Sequence, residues 1–181
     1  ELSRRLDAPL LAAGYSRLLI DLNRPLEAPD SIPPHSEVYP VPGNRELSET
    51  VRRYRQDCLF HPFHQRLTQL LDERQAAGVP PRVVGVHSFT PVYHGRPRPL
   101  VAGVLYRNAG AYARRILDGL RRHGLEVAGN QPYAIDPAED TTVPVHGDAR
   151  GLEAVLLEIR NDGLRTPDAV YAWAERLYPW L

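Results

Sequence analysis

A histidine, a glutamate and an Asn-Arg pair each stand where an apolar, strand-like run gives out. Val83-Val84-Gly85-Val86 leads into His87, and Ser88-Phe89-Thr90-Pro91 leads out into a Pro-rich loop. Leu18-Leu19-Ile20 runs into Asp21-Leu22-Asn23-Arg24, and Val155-Leu156-Leu157 runs into Glu158-Ile159-Arg160. In open α/β sheets, ligands bind just outside the carboxyl ends of the strands. If these strands are parallel neighbours, one rim collects an imidazole, a carboxylate and a guanidinium, the materials of metal-assisted hydrolysis.

Glu158 is the best-founded of these residues. It interrupts a run that reads as buried on both faces, where an ionised carboxylate is costly unless it is paired or beside a metal. Burial raises its pKa towards the range of a general acid or base. The structural alternative is an ion pair with Arg160 or Arg24. His87 alone reads more readily as a hydrogen-bonded core residue, but its place at a strand end and the loop after it favour a ligand role. Asn23 and Arg24 together suit an anion, since arginine binds carboxylates through two parallel hydrogen bonds and asparagine both donates and accepts. Turn chemistry and a surface arginine are their plainer explanation.

Weaker candidates follow. His146 ends a strand-like run, with Arg150 close behind as a second anion contact. Tyr133, in Asn130-Gln131-Pro132-Tyr133, sits on a loop able to swing over a site or simply to anchor itself. His61 and His64 stand three apart, but Pro62 disturbs the helical face they would share, so they are not read as a metal pair. No Gly-rich phosphate loop and no nucleophile elbow is present.

The elements that must position these residues alternate between helix and strand. Apolar spacing predicts helices over residues 2–13, 46–78 (interrupted near Pro62), 109–123 and 167–177. Strands are expected over 15–22, 82–87, 100–106, 125–128, 141–146 and 154–159. Residues 25–42 form a loop with six prolines, and 90–99 and 129–140 read as loops. That alternation argues for one α/β domain over 1–181, with a mixed, mostly parallel central sheet flanked by helices.

Composition narrows the function. The 181 residues carry 22 basic and 22 acidic side chains, and no basic patch interleaved with aromatics points to nucleic acid. No apolar stretch approaches the roughly 20 residues of a membrane span. One cysteine, Cys58, forbids an internal disulfide and suits a reducing cytoplasm. The chain has no methionine. It therefore does not start at an initiator residue, and part of the working protein is expected upstream of Glu1.

Taken together, several segments resemble the N-formylglutamate amidohydrolase family. They are Tyr15-Ser16-Arg17, Asp21-Leu22-Asn23-Arg24, Val41-Pro42-Gly43-Asn44, Pro62-Phe63-His64, Val86-His87-Ser88-Phe89-Thr90-Pro91, Asn130-Gln131-Pro132-Tyr133 and Leu157-Glu158-Ile159-Arg160-Asn161-Asp162. Each is weak alone; their joint order is specific. The resemblance implies a zinc carboxypeptidase-like three-layer sandwich lacking its first strands. It implies a catalytic zinc held by two histidines and a carboxylate, with His87 as the downstream histidine and the other ligands before Glu1. It implies Glu158 as general base, Asn23 and Arg24 as substrate contacts, and more loosely Tyr133, His146 and Arg150. The expected reaction is hydrolysis of a small anionic N-acyl amino acid, N-formyl-L-glutamate foremost, to formate and glutamate. Two alternatives stay open: a non-catalytic α/β binding module that has lost half its metal site, or a zinc deacylase or peptidase for other small acyl compounds.

Overall fold

Two segments rich in β-branched and aliphatic residues pair along their full length. β3 (Val83–Phe89) runs parallel to β8 (Ala154–Arg160), with Val83 opposite Ala154 and Phe89 opposite Arg160. The computed structural model describes residues 1–181, and these two strands form half of its main sheet. β6 (Ala102–Leu105) pairs antiparallel with β8 and parallel with β7 (Val127–Gly129), giving the order β3-β8-β6-β7. The sheet is mixed, with two of its three pairings parallel. β3 pairs only with β8, so its other edge is open.

Helices cover both faces. α4 (Gly110–Arg122) buries Ala113, Ile116, Leu117 and Leu120, the spacing of one helical face. It packs with α6 (Pro167–Leu177), whose first turn is capped by the Thr166 hydroxyl accepting from the Ala169 N–H. These helices, with Val155, Leu157 and Ile159 from the sheet, make the larger core. The opposite face carries α3 (His61–Ala76) and α5 (Thr142–His146), which bury Leu71 and Val143 against Val83, Leu105, Ala154 and Leu156. Alternate residues of β8 therefore serve two cores. Glu158 belongs to the face of α3 and α5.

The structure departs from the sequence expectations in several places. Residues 2–13 are helical only over α1 (Leu2–Leu6). Residues 15–22 form no strand. Their backbone bonds include a turn from Leu19 N–H to Ser16 C=O and a single link from Asp21 N–H to Ser31 C=O, and Ile20 is buried against Ile32 and Phe60. The 25–42 loop holds a small hairpin, β1 (His35–Ser36) with β2 (Tyr39–Pro40). α2 (Glu49–Arg55) joins α3 through a π-turn at Gln56–Phe60. The wider turn comes where Pro62 has no N–H and its ring would meet the carbonyl four residues back.

A second hairpin, β4 (Val92–Tyr93) with β5 (Arg96–Pro97), occupies the expected 90–99 loop. His94 and Gly95 at its tip both have positive φ, the geometry a two-residue hairpin turn requires. The expected strand at 141–146 is α5. Pro144 falls in its first turn, where a missing N–H costs nothing. No helix is long and apolar enough to cross a membrane.

Candidate active site

His87 and Glu158 are opposed residues at the carboxyl ends of two parallel strands. Period-two alternation puts both side chains on one face of the sheet, and His87 Nδ1 lies 3.8 Å from Glu158 Oε1. Glu158 is only 6% exposed, and its Oε2 is buried without a hydrogen-bond partner. Burial pushes its pKa up to about 7. The charges of Arg98, Arg17 and Arg24 pull it down, and Asp140 pushes it up. None of these arginines bonds it directly, so the anticipated ion pair with Arg24 or Arg160 does not form; Arg160 instead holds Asp162 at 2.9 Å. His87 is half-buried and its pKa is lowered by desolvation, against the raising effect of Asp21. It is therefore neutral at pH 7, as a metal ligand must be.

The Asp21-Leu22-Asn23-Arg24 segment comes to this rim as a turn, not a strand. Asp21 is buried; its Oδ1 accepts the Asn23 N–H at 2.8 Å, and its Oδ2 meets Arg17 Nη2 at 2.7 Å. Both ends of the Asn23 amide are engaged. Nδ2 donates to Asp140 Oδ1 at 2.8 Å, and Oδ1 accepts the Thr142 N–H at 3.0 Å. Asn23 thus caps α5 from more than a hundred residues away and aims Asp140. Arg24 donates Nη1 to the Glu139 carbonyl at 2.6 Å and places Nε 2.9 Å from Asp30 Oδ2. Asp140 is half-buried with a raised pKa, chiefly by desolvation.

Gly103 stands opposite Glu158 in β6. A Cβ there would fall 1.8 Å from the Gln131 carbonyl oxygen, so the Asn130-Gln131-Pro132-Tyr133 segment lies directly over this part of the sheet. Asn130 pins the segment to the end of β6: its N–H donates to Val104, and its side-chain oxygen accepts from the Tyr106 N–H. Tyr133 follows, its hydroxyl accepting from Arg98 Nη1 at 2.6 Å.

Two expected rim residues are elsewhere. Arg150 donates to Asp72 Oδ1 at 2.7 Å and to Gln75 Oε1 at 3.0 Å, both on α3. Gly147 packs on Ala154, so the turn bearing Arg150 lies at the start of β8, four residues before Glu158. His146 is 2% exposed, and its Nε2 lies 2.7 Å from His64 Nδ1. Since Leu22 C=O can only accept, His64 donates to it from Nε2 (2.9 Å), leaving Nδ1 to accept from His146. Desolvation lowers both pKa values, that of His146 to about 4. The pair is a neutral strut between α5, α3 and the Leu22 carbonyl, and His146 has no open face for a substrate.

Sequence reading missed this strut and Asp140. A histidine's tautomer and partners depend on contacts 82 residues apart, and the loop bearing Asp140 has no periodicity to mark it.

Alongside the rim, between β3's open edge and α3, a cleft of about 650 Å³ runs past Asp21, Asn23 and His87. Its walls include Phe63, Leu67 and Val84. No three His, Cys, Asp or Glu side chains converge closely enough to hold a metal ion. The residues present thus supply one imidazole and one carboxylate, not a complete zinc site.

A mixed sheet sandwiched by helices, with a neutral imidazole and a buried carboxylate that titrates near neutrality at one rim, is an α/β scaffold carrying a site suited to hydrolytic acid–base chemistry. The comparisons with known proteins agree. The family model for N-formylglutamate amidohydrolase matches residues 1–164. The gene product Atu2144 of Agrobacterium tumefaciens shares 40% identity and a TM-score of 0.93 over 99% of this chain and 71% of its own. An N-formylglutamate amidohydrolase from Ralstonia eutropha JMP134, at 19% identity, has the same fold: TM-score 0.75 over 99% of this chain and 77% of that one. No curated protein matches the chain. The chain belongs to the N-formylglutamate amidohydrolase family, and it is a hydrolase.

Proposed function

We propose that this chain hydrolyses the amide bond of an N-acyl acidic amino acid, N-formyl-L-glutamate foremost, with Glu158 as general base and acid. The observation that carries the reading is the Glu158 carboxylate. It is buried, has a free Oε2, titrates at about 7 and lies 3.8 Å from His87. A base of that pKa takes a proton from an attacking water at neutral pH and can return it to the leaving nitrogen. Neutral His87 and the cationic surroundings of Arg17, Arg24 and Arg98 favour an anionic substrate beside that carboxylate. Asn23 and Arg24 shape the rim by fixing the 139–142 backbone, and Tyr133 borders it.

The same reading includes zinc and a zinc carboxypeptidase-like sandwich. His87 is the ligand this chain contributes. No second imidazole or carboxylate within residues 1–181 completes the set. Zinc at His87 would supply Lewis-acid polarisation of the acyl carbonyl and a water of lowered pKa. The exposed, free Cys58 supports a reducing, cytoplasmic setting.

The test is formate release from N-formyl-L-glutamate, N-acetyl-L-aspartate and N-formyl-L-leucine, measured with and without added zinc. Release from the first substrate is expected to exceed release from the other two. Turnover of N-formyl-L-leucine at an equal or greater kcat/KM would refute the acidic-substrate assignment.

A further inference from the structure

We propose that Arg98 is the anchor for the substrate's carboxylate, presented from an aromatic cradle just past the carboxyl ends of β3 and β8. The inference rests on the reading above that the substrate is a small carboxylate, and it assigns that recognition to a residue outside the family-like segments.

The placement follows from register. Phe89 lies two residues beyond His87, and Arg160 two beyond Glu158, so both stand on the face that carries the imidazole and the carboxylate. Arg160 Nη1 donates to the carbonyls of Arg98 and Pro99, each at 2.9 Å. The Arg98 N–H closes the base of the β4–β5 hairpin on Pro91 C=O at 2.8 Å. The Arg98 backbone is thereby tied to the strand that bears Glu158.

The guanidinium itself is held by rings. Its carbon lies 4.4 Å from the Tyr93 ring centre, 5.0 Å from that of Tyr133 and 5.6 Å from that of Phe89. Its one hydrogen bond to protein is Nη1 to the Tyr133 hydroxyl. Tyr133 is reached from the segment that crosses Gly103, the β6 neighbour of Glu158. Aromatic faces orient a guanidinium and attract its charge without consuming its N–H donors.

Arg98 is half-buried and has no acidic partner. Arg24 and Arg150, the arginines expected to grip an anion, are bonded to Asp30 and Asp72. A cation stripped of part of its water, with most of its planar fork unbonded, is a carboxylate receptor by construction. Its charge also acts on Glu158, holding that carboxyl's pKa below what burial alone would give. Tyr93 comes from the exposed hairpin β4–β5, so one wall of the cradle is free to shift as ligand arrives.

The experiment compares wild type with R98M and R98K on N-formyl-L-glutamate and on the uncharged N-formyl-L-glutaminamide. For R98M, KM for the anionic substrate rises about 30-fold or more while KM for the uncharged substrate does not move, and any change in kcat is the same for both substrates. Added guanidinium ion restores part of the loss. R98K keeps the charge but not the fork, and raises the anionic KM by about fivefold. It serves alone if R98M does not fold. Equal changes in KM for the two substrates, or none, overturn the proposal, since a merely structural role would not discriminate by substrate charge.

Glutarate binding, followed by calorimetry, separates this inference from the reaction. Binding about tenfold weaker in R98M, in a protein that fails to hydrolyse N-formyl-L-glutamate, sustains the anchor and refutes the reaction. Glutarate binding equal in wild type and R98M, or undetectable in wild type, refutes the anchor.

Discussion

His87 and Glu158 face each other across adjacent parallel strands, and their side chains leave the same side of the sheet 3.8 Å apart. Parallel pairing brings both to the carboxyl rim, and the alternation of β8 between two cores turns Glu158 inward among apolar neighbours. Location thus creates the chemistry: desolvation, outweighing the nearby arginines, makes an ordinary glutamate a base suited to neutral pH. Replacing Glu158 by Gln keeps shape and burial but removes the base. E158Q is expected to lower kcat by about 10²–10⁴-fold with KM little changed. Steady-state formate release measures this, and activity within a few-fold of wild type would remove Glu158 from the reaction.

The same carboxylate links pH to folding. Its pKa is about 7 in the folded chain against 4.5 for an exposed glutamate. Between those values the folded chain holds a proton that the unfolded chain has released, so native stability falls as pH rises from about 4.5 to 7. Above about 7 the cost of the buried charge is fully present, on the order of 3 kcal/mol. E158Q is therefore expected to match wild type at pH 4 and to be more stable at pH 8. Chemical denaturation at both pH values tests the sign, and a difference independent of pH rules out the burial argument.

Parts of the fold that depend on local pattern were readable before the structure. The β-branched run at 83–87 and the apolar run at 154–159 are both strands, the second buried on both faces and the first leaving Val86 exposed. The amphipathic spacing at 110–122 and the Thr166-Pro167 start of α6 are equally local signals. Residues 15–22 and 141–146 misled for one reason: a short apolar run marks burial, not strand geometry. Ile20 is buried in a turn against Phe60, and Val143 in a short helix. The site divides the same way. His87 and Glu158 were visible because each ends its own run. The Asn23–Asp140, His64–His146 and Arg98–Tyr133 contacts join residues 117, 82 and 35 apart, and no single segment encodes them.

The His64–His146 strut predicts a split between two replacements. Leu at 146 fills the space but leaves the buried His64 Nδ1 without a donor, at a cost of about 1–3 kcal/mol. Gln at 146 carries an N–H₂ group able to replace the His146 donor. H146L is expected to lose that stability at pH 7.5, and H146Q less than half of it. The wild-type pair also weakens in acid. His146 titrates at about 4 when folded against 6.5 when free, so the unfolded chain takes up protons first and stability is lost as pH falls from about 6.5 to 4. H146L lacks that titration, so its deficit narrows at pH 4.5. Urea unfolding at the two pH values gives both numbers; equal stabilities for Leu and Gln would show that the hydrogen bond carries nothing.

Gly103 provides the sharpest steric test of how the rim is assembled. Its missing Cβ is the space in which the Gln131 carbonyl sits, 1.8 Å from where a methyl would be. The obstructing atoms are backbone, held on one side by Asn130 on Val104 and Tyr106, so no side-chain rotation relieves the contact. Alanine at 103 must push the 130–133 segment off the sheet or bend β6, both of which disturb the strand next to Glu158. G103A is expected to cost about 1–3 kcal/mol, the usual penalty for forcing extra carbon into packed structure. It should also free Tyr133 from Arg98, exposing the half-buried Arg98 to solvent. Tyrosine fluorescence is ambiguous with nine tyrosines present. The discriminating measurement is therefore hydrogen exchange at the Asn130 and Tyr106 amides, which bond Val104 and Asn130 and should lose protection well below the global unfolding free energy. A G103A protein with wild-type stability and unchanged protection at these amides would mean that the segment does not rest on the sheet beside Glu158.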